Sequence, residues 1–327
     1  MSGGAKWSVC GYVVLIALGL IAPFVLYPIF LMQALCFALF ACAFNLLIGY
    51  TGLLSFGHAA FLGMAGYMMG LAVKQWGLPP ELGLLVGTAS AALLGYLIGS
   101  LAIRRQGIYF AMITLALAQM LYFFCLQAKF TGGEDGLQGV PRGHLLGFIS
   151  LEDDRTLYYL VFALFVLGFW IIHRAIHSPF GQVLTAIREN EPRALSLGYD
   201  VDKYKLLAFV ISAGLSGLAG STKTLVLGFE TLTDVHWHMS GEVVLMTLLG
   251  GMGTVLGPVV GAFIVKTLEN RIGEFGEMLA AQTGVEWYKT LGDSVTIVTG
   301  LIFVICVLAF RRGIVGEVMA LFGKARR

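Results

Sequence analysis

The groups that could do chemistry in this chain are few, and their spacing builds no reaction centre. His173-x-x-x-His177 and His236-Trp237-His238 have separations a metal could bridge, but neither pair brings carboxylate or cysteine companions, and Trp beside His near a membrane face usually anchors at the headgroup level. Ser221-Thr222-Lys223-Thr224 brushes against a phosphate-binding loop, yet Thr222 stands where glycine is required and the segment lies in an apolar helix. Gly251-x-Gly253-x-x-x-Gly257 misses the dinucleotide fingerprint by one residue. Cys10, Cys36, Cys42, Cys125 and Cys306 all lie in apolar runs with no C-x-x-C, as small buried hydrophobes do. No Ser/His/Asp set and no acids paired at hydrolytic spacing fall on one face. The chain is expected to be non-catalytic, with no metal or cofactor of its own and no nucleic-acid partner.

What polar chemistry there is sits among apolar residues, where an ionisable group is costly and marks a functional hypothesis. Glu242 falls two residues into a predicted crossing, as a solvated acid near the outer surface or a group at the mouth of a pathway. Lys223 stands about five residues from the outer end of its span, within snorkelling reach of headgroups. Asn45 and Gln119 suit interhelical hydrogen bonds. His58, after Ser55-Phe56-Gly57, opens a span at its cytoplasmic rim as a helix-start residue or a gate. Asn45, Ser55, His58, Gln119, Glu242, Gly251 and Gly253 are thus the candidate pathway or gate positions.

The elements that must hold these residues follow from composition. With 58% hydrophobic and 12% charged residues, 43 glycines and a mean hydropathy of +0.85, the 327-residue chain is too apolar for a soluble domain and fits an all-α polytopic protein embedded in a lipid bilayer. At about 20 apolar residues per crossing, spans are predicted at Val9–Tyr27, Ile29–Gly49, Ala59–Val73, Leu82–Ile103, Ile108–Ala128, Leu157–Arg174, Tyr204–Gly228 and Asp293–Phe310, with the ambiguous run Ser240–Glu269 before the last. Val9–Tyr27 is longer than a signal-peptide core and lacks a cleavage site, so it is expected to remain as a span. Gly63-x-x-Gly66-x-x-x-Gly70, Gly214-x-x-Gly217-x-x-Gly220 and Gly253-x-x-x-Gly257-x-x-x-Gly261 offer small faces for close helix packing. Two glycine breaks, at 47–57 and 249–257, have the form of interrupted helices flanking a transport pathway.

Parity resolves the ambiguous run. Five Lys and Arg lie between Arg174 and Lys205, which puts the polar stretch Ser178–Lys205 in the cytoplasm, and the tail with Arg311, Arg312, Lys324, Arg326 and Arg327 belongs there too. Glu269–Asp293, with five acids against two bases, belongs outside. Both placements hold only if Ser240–Glu269 crosses twice, turning at Gly250–Pro258. The result is about ten crossings, some short or broken, with both termini inside; thirteen of the 21 Lys and Arg are then cytoplasmic and seven external. Within the polar stretch, Asn190 and Glu191 can cap a short helix beginning at Pro192 and ending before Gly198, after a first helix over Phe180–Glu189.

NLLIGYTGLLSFGHAAFLGMAGY (45–67), GIYFAMITLALAQM (107–120), TGGEDGL (131–137), AIRENEPRALSLGYDVDKYKLLAFVISAGLSGLAG (186–220) and SGEVVLMTLLGGMGTVLGPVVGAF (240–263) closely resemble the permease subunits of bacterial branched-chain amino acid ABC importers, of the LivM type. The resemblance implies that residues 1–327 form one transmembrane permease domain of the inner membrane. Its implied partners are a second, LivH-type permease, two cytoplasmic ATPases that bind ATP and Mg, and a periplasmic substrate-binding protein. Residues 178–203 then correspond to the family's cytoplasmic coupling segment, with Arg188, Glu191, Ala194 and Gly198 as its coupling positions. Pro192 and Arg193 after the Glu depart from the strict signature of ABC importers. Permeases for urea or short amides share most of these motifs. A stand-alone secondary transporter is the contrasting expectation, and it wants mid-membrane acids that spans three to seven lack.

Overall fold

Proline opens the first long helix, α1, Pro28–Tyr50, at a position where its missing N–H is no loss, and the same device opens α3, Pro80–Ala102. The computed structural model describes residues 16–145, 147–283, 300, 301, 304 and 313–317. Between and after these helices run α2, His58–Lys74; α4, Ile108–Gln127; and α5, Asp154–Ile176. Each matches its predicted span within three residues at either end. Two short helices follow, α6, Pro179–Glu189, and α7, Glu191–Ser196. Next come α8, Val201–Leu227; the single turn α9, Leu232–Val235; α10, Trp237–Gly250; and α11, Gly257–Thr283. A small hairpin, β1, His144–Leu145, with β2, Ile149–Ser150, lies in the loop after α4 and is the one strand pair among the described residues.

Among the described residues, five helices, α1, α3, α4, α5 and α8, are long and apolar enough to cross a bilayer. Their burial separates inner from outer: 89% of the apolar window of α1 lies inside the bundle, against 28% for α4. α8 packs along α1, α2 and α3, and α1 also lies against α5 and α11. In lipid there is little hydrophobic gain from bringing helices together, so close van der Waals packing must carry the association. Phe40, Phe44, Phe61, Phe110 and Phe209 are fully buried, and a Cβ on Gly220 would run into the Leu62 carbonyl of α2.

The chain breaks where the parity argument requires. α10 stops at Gly250, residues 251–256 form a non-helical turn, and α11 resumes at Gly257. Gly251 (φ 124°) and Gly253 (φ 76°) adopt backbone conformations that a side chain would strain. The halves pack glycine to backbone, with Gly261 of α11 against the Met246 carbonyl of α10. One expectation is corrected: α11 does not end near Glu269 but continues to Thr283, since that stretch contains no proline and carries the helix formers Glu277, Met278, Leu279, Ala280 and Ala281 near its end. The ten-crossing count rests partly on Val9–Tyr27, of which residues 9–15 lie outside the described residues, and on Asp293–Phe310, most of which does; residues 16–21 are helical and Ala22–Phe24 form one 3-10 turn.

Candidate functional site

The polar elbow is built by capping. The Asn190 side-chain oxygen accepts the Arg193 N–H at 3.1 Å, which stops α6 and starts α7. Gly198 (φ 87°) ends α7 in a left-handed turn: its N–H donates to Leu195 O at 3.0 Å, and that of Tyr199 to Ala194 O at 3.2 Å. Ala194, buried, packs with Ile187 and Val201 and fastens α7 between α6 and α8. Leu195 and Leu197 are left outside, 56% and 69% exposed, beside Pro192 and Arg193. Glu191 turns inward. One carboxylate oxygen meets Lys205 Nζ at 2.8 Å and the other accepts from Gln106 Nε2 at 2.8 Å.

Arg188, also on the elbow, reaches into the bundle, where its Nη1 donates to the Gly49 carbonyl in the last turn of α1. Four residues earlier, Asn45 pairs with the break. Its side-chain oxygen accepts the Gly253 N–H at 2.9 Å and its Nδ2 donates to the Thr254 carbonyl at 2.8 Å. The interhelical role expected of Asn45 is therefore realised against α10–α11, and the break lies on the same face of the bundle as the 178–203 segment.

Four other sequence candidates sit elsewhere. Ser55 accepts the Gly57 N–H at 3.2 Å and shapes the approach to α2. His58 is not at a wet rim. It is fully buried, its Nε2 donating at 2.9 Å to the Ser212 hydroxyl, which itself donates to the Ala43 carbonyl, with Phe44, Phe61 and Phe209 edge-on around the ring. Gln119 does not make the full interhelical bonding expected of it, because its Nε2 is buried without a hydrogen-bond partner among the described residues. Glu242 is not a solvated acid: it lies 2.6 Å from Lys266 of α11, which also pairs with Glu269 at 2.9 Å and stands over the Phe37 ring of α1 at 3.6 Å.

Lys223 likewise does not snorkel. The chain reverses at Gly228 and brings Asp234 Oδ1 to 2.5 Å and Glu230 Oε2 to 3.9 Å from its ammonium, all three nearly or fully inaccessible to solvent. Desolvation explains the arrangement: four residues from the helix end, the ammonium finds two carboxylates closer than any headgroup. The bundle thus does contain buried acids, each accompanied by a lysine. Sequence reasoning missed Asp234, Glu230, Lys266 and Glu269 as partners. A signal existed for Asp234 in Thr231-x-x-Asp234, whose capping bonds form at 2.8 and 3.3 Å, and for Glu269 in its (i, i+3) spacing from Lys266.

Helices long and apolar enough to cross a bilayer, with a broken pair turning on the side of a polar elbow, define a polytopic α-helical membrane protein. Residues 27–307 match the family described as branched-chain amino acid transport system / permease component, and the chain belongs to it. It is 28% identical, over 71% of its length, to the high-affinity branched-chain amino acid transport system permease protein LivM of Escherichia coli (strain K12), covering 60% of that protein. It is 28% identical, over 57% of its length, to the probable branched-chain amino acid transport permease protein LivM of Methanocaldococcus jannaschii, covering 56% of it. The autoinducer 2 import system permease protein LsrC of Klebsiella pneumoniae is 27% identical over 56% of the chain and 52% of its own length. The chain thus spans about 60% of the length of the first of these relatives. Family and helices together make it a multi-pass protein of the inner membrane.

Proposed function

We propose that this chain is the membrane-spanning permease subunit of an ATP-driven importer of hydrophobic, branched-chain amino acids. Residues 178–203 receive the stroke of cytoplasmic ATPases. The single observation carrying this reading is the elbow: a rigidly capped two-helix projection that presents Leu195 and Leu197 to solvent on the side where the basic residues lie. Apolar side chains held out on a polar element fit a groove on a soluble partner, and ATP-driven closure of that partner can bias the bundle only through contacts whose free energy differs between states. A second permease completes the passage, and an external binding protein delivers the solute to the face formed by the 129–155 loop and the 228–239 segment.

The substrate assignment leans on the likeness to LivM, while the likeness to LsrC, a permease of an autoinducer 2 import system, favours a second reading in which the same scaffold passes a solute other than an amino acid, such as urea or a short amide. Uptake of radiolabelled leucine, isoleucine and valine by proteoliposomes holding the permease with its cognate subunits separates the two. ATP-dependent leucine accumulation supports the first. Accumulation only of a polar solute such as urea assigns the second, and accumulation without ATPase subunits overturns both.

A further inference from the structure

The elbow and the break meet at one guanidinium. Arg188 belongs to α6, but the carbonyl it engages, Gly49, is one of the last-turn acceptors that α1 leaves without an intrahelical partner. That end of α1 touches the break directly: a Cβ placed on Gly49 would stand 2.8 Å from Gly253 N, and one on Gly253 would stand 3.5 Å from Gly49 O and 3.7 Å from Arg188 Nη1. Gly52, just past the helix, leaves room for the arginine stem, whose Cγ would lie 2.9 Å from a Cβ there. Asn45, on the same helix end, holds an N–H and a C=O of the break in its bidentate amide. One terminus of α1 is therefore gripped from the elbow and itself grips the turn between α10 and α11.

We propose that Arg188 is a positioning residue that transmits movement of the elbow to the Gly251–Leu256 turn through the C-terminal end of α1, instead of contacting an ATPase with its charged head. This rests on the reading of 178–203 as the coupling segment. The carbonyl end of a helix carries partial negative charge, and a cation there stabilises it only while it stays in place. When α6 is drawn away, Gly49 loses its donor and the Asn45 clasp on the break loses its fixed base. When α6 returns, both are restored. The turn, whose glycines permit φ values closed to other residues, is the part of the broken pair able to answer.

The test uses the permease assembled with its cognate ATPases and a Thr254→Cys reporter, comparing cytoplasmic thiol labelling with ATP analogue and with ADP. The parent is expected to show nucleotide-dependent labelling. Arg188→Ala is expected to keep its ATPases on co-purification and to hydrolyse ATP, yet to lose the nucleotide dependence and about tenfold in uptake per ATP, in the range of coupling terms carried by such networks. Arg188→Lys, a single point donor, recovers part of it. Arg105→Ala, an exposed arginine on the same face, is the charge control and behaves as the parent. Asn45→Ala combined with Arg188→Ala is expected to add little, since both act on one contact. Loss of the ATPases from Arg188→Ala, or retained nucleotide-dependent labelling in it, overturns the proposal. Labelling reports on the relay whatever solute is carried, so a wrong substrate assignment alone leaves it standing.

Discussion

Lys223 on α8 and Asp234 on α9 lie 2.5 Å apart, Nζ to Oδ1, although a chain reversal at Gly228 separates them. The pair fastens the descending 228–236 segment against the helix it has just left, and Glu230, itself bonded to Thr224 at 2.6 Å, completes the cluster. From outside, the 129–143 loop closes over it: Leu137 exchanges backbone hydrogen bonds with Glu230 at 2.9 Å and the Val140 N–H donates to Gly228 O at 2.8 Å.

The cluster holds two acids and one base, so removing the base should hurt more than removing either acid. Lys223→Met strands both carboxylates in a desolvated site and is expected to cost about 3–5 kcal/mol, as does breaking buried pairs elsewhere. Asp234→Asn leaves Lys223 facing Glu230 and costs less. Thermal unfolding of the purified protein in detergent ranks the variants, and an order with Asp234→Asn the worse would mean that the lysine is not the hub.

Two glycines of the broken pair make a matched test of close packing. An alanine methyl at Gly261 would collide with the Met246 carbonyl, whereas nothing stands within 4 Å of a Cβ at Gly241. Gly261→Ala must push α10 and α11 apart and is expected to cost about 1–3 kcal/mol, the usual range for overpacking. Gly241→Ala, mid-helix and unobstructed, should be neutral or slightly stabilising because alanine is the better helix former. Melting temperatures of the two variants suffice, and equal losses would refute the contact.

Lys266 joins three helices, pairing with Glu242 of α10, with Glu269 on its own helix and with the Phe37 ring of α1. Replacing it with methionine keeps the stem over the ring but leaves two acids without their cation, and about 2–4 kcal/mol of stability is expected to go with it. The double variant Lys266→Met with Glu242→Gln should recover part of that loss. A double-mutant cycle read by thermal unfolding gives the coupling, and strict additivity would show that the two charges do not interact.

Helix positions were legible in the sequence because hydropathy over some 20 residues depends on composition and not on partners. The elbow was legible because Asn190, Pro192 and Gly198 act locally, each on a backbone group within a turn of itself. The turn at Gly250–Pro258 needed both the glycines and the charge parity of its flanks. What the sequence hid was which side chains meet across helices. Lys223 finds Asp234, and Glu242 finds Lys266, only through the rotation and depth of helices that pack in pairs, and neither leaves a mark in a linear hydropathy pattern. The same holds for His58, whose place at a helix start suggested a wet rim, while the packing of α1, α2 and α8 encloses it in three aromatic rings.

Asn45 puts the packing of the break itself to the test. Its amide serves a donor and an acceptor at once, so substitutions that keep one function and lose the other divide the contribution. Asn45→Leu is close in volume but leaves the Gly253 N–H and Thr254 C=O unpaired; since the turn is half exposed, the expected cost is about 1–2 kcal/mol, the lower part of the range for orphaned groups. Asn45→Asp still accepts from Gly253 but sets a carboxylate oxygen against the Thr254 carbonyl, replacing attraction with repulsion, and is expected to destabilise at least as much. Freed from α1, the turn should open more often, so a cysteine at Met252, already 47% exposed, should label faster in both variants than in the parent while a cysteine at Leu195 labels at an unchanged rate. Unchanged labelling at Met252 in Asn45→Leu would mean that the glycine backbone holds the turn without its clasp, and that the end of α1 exerts no control over it.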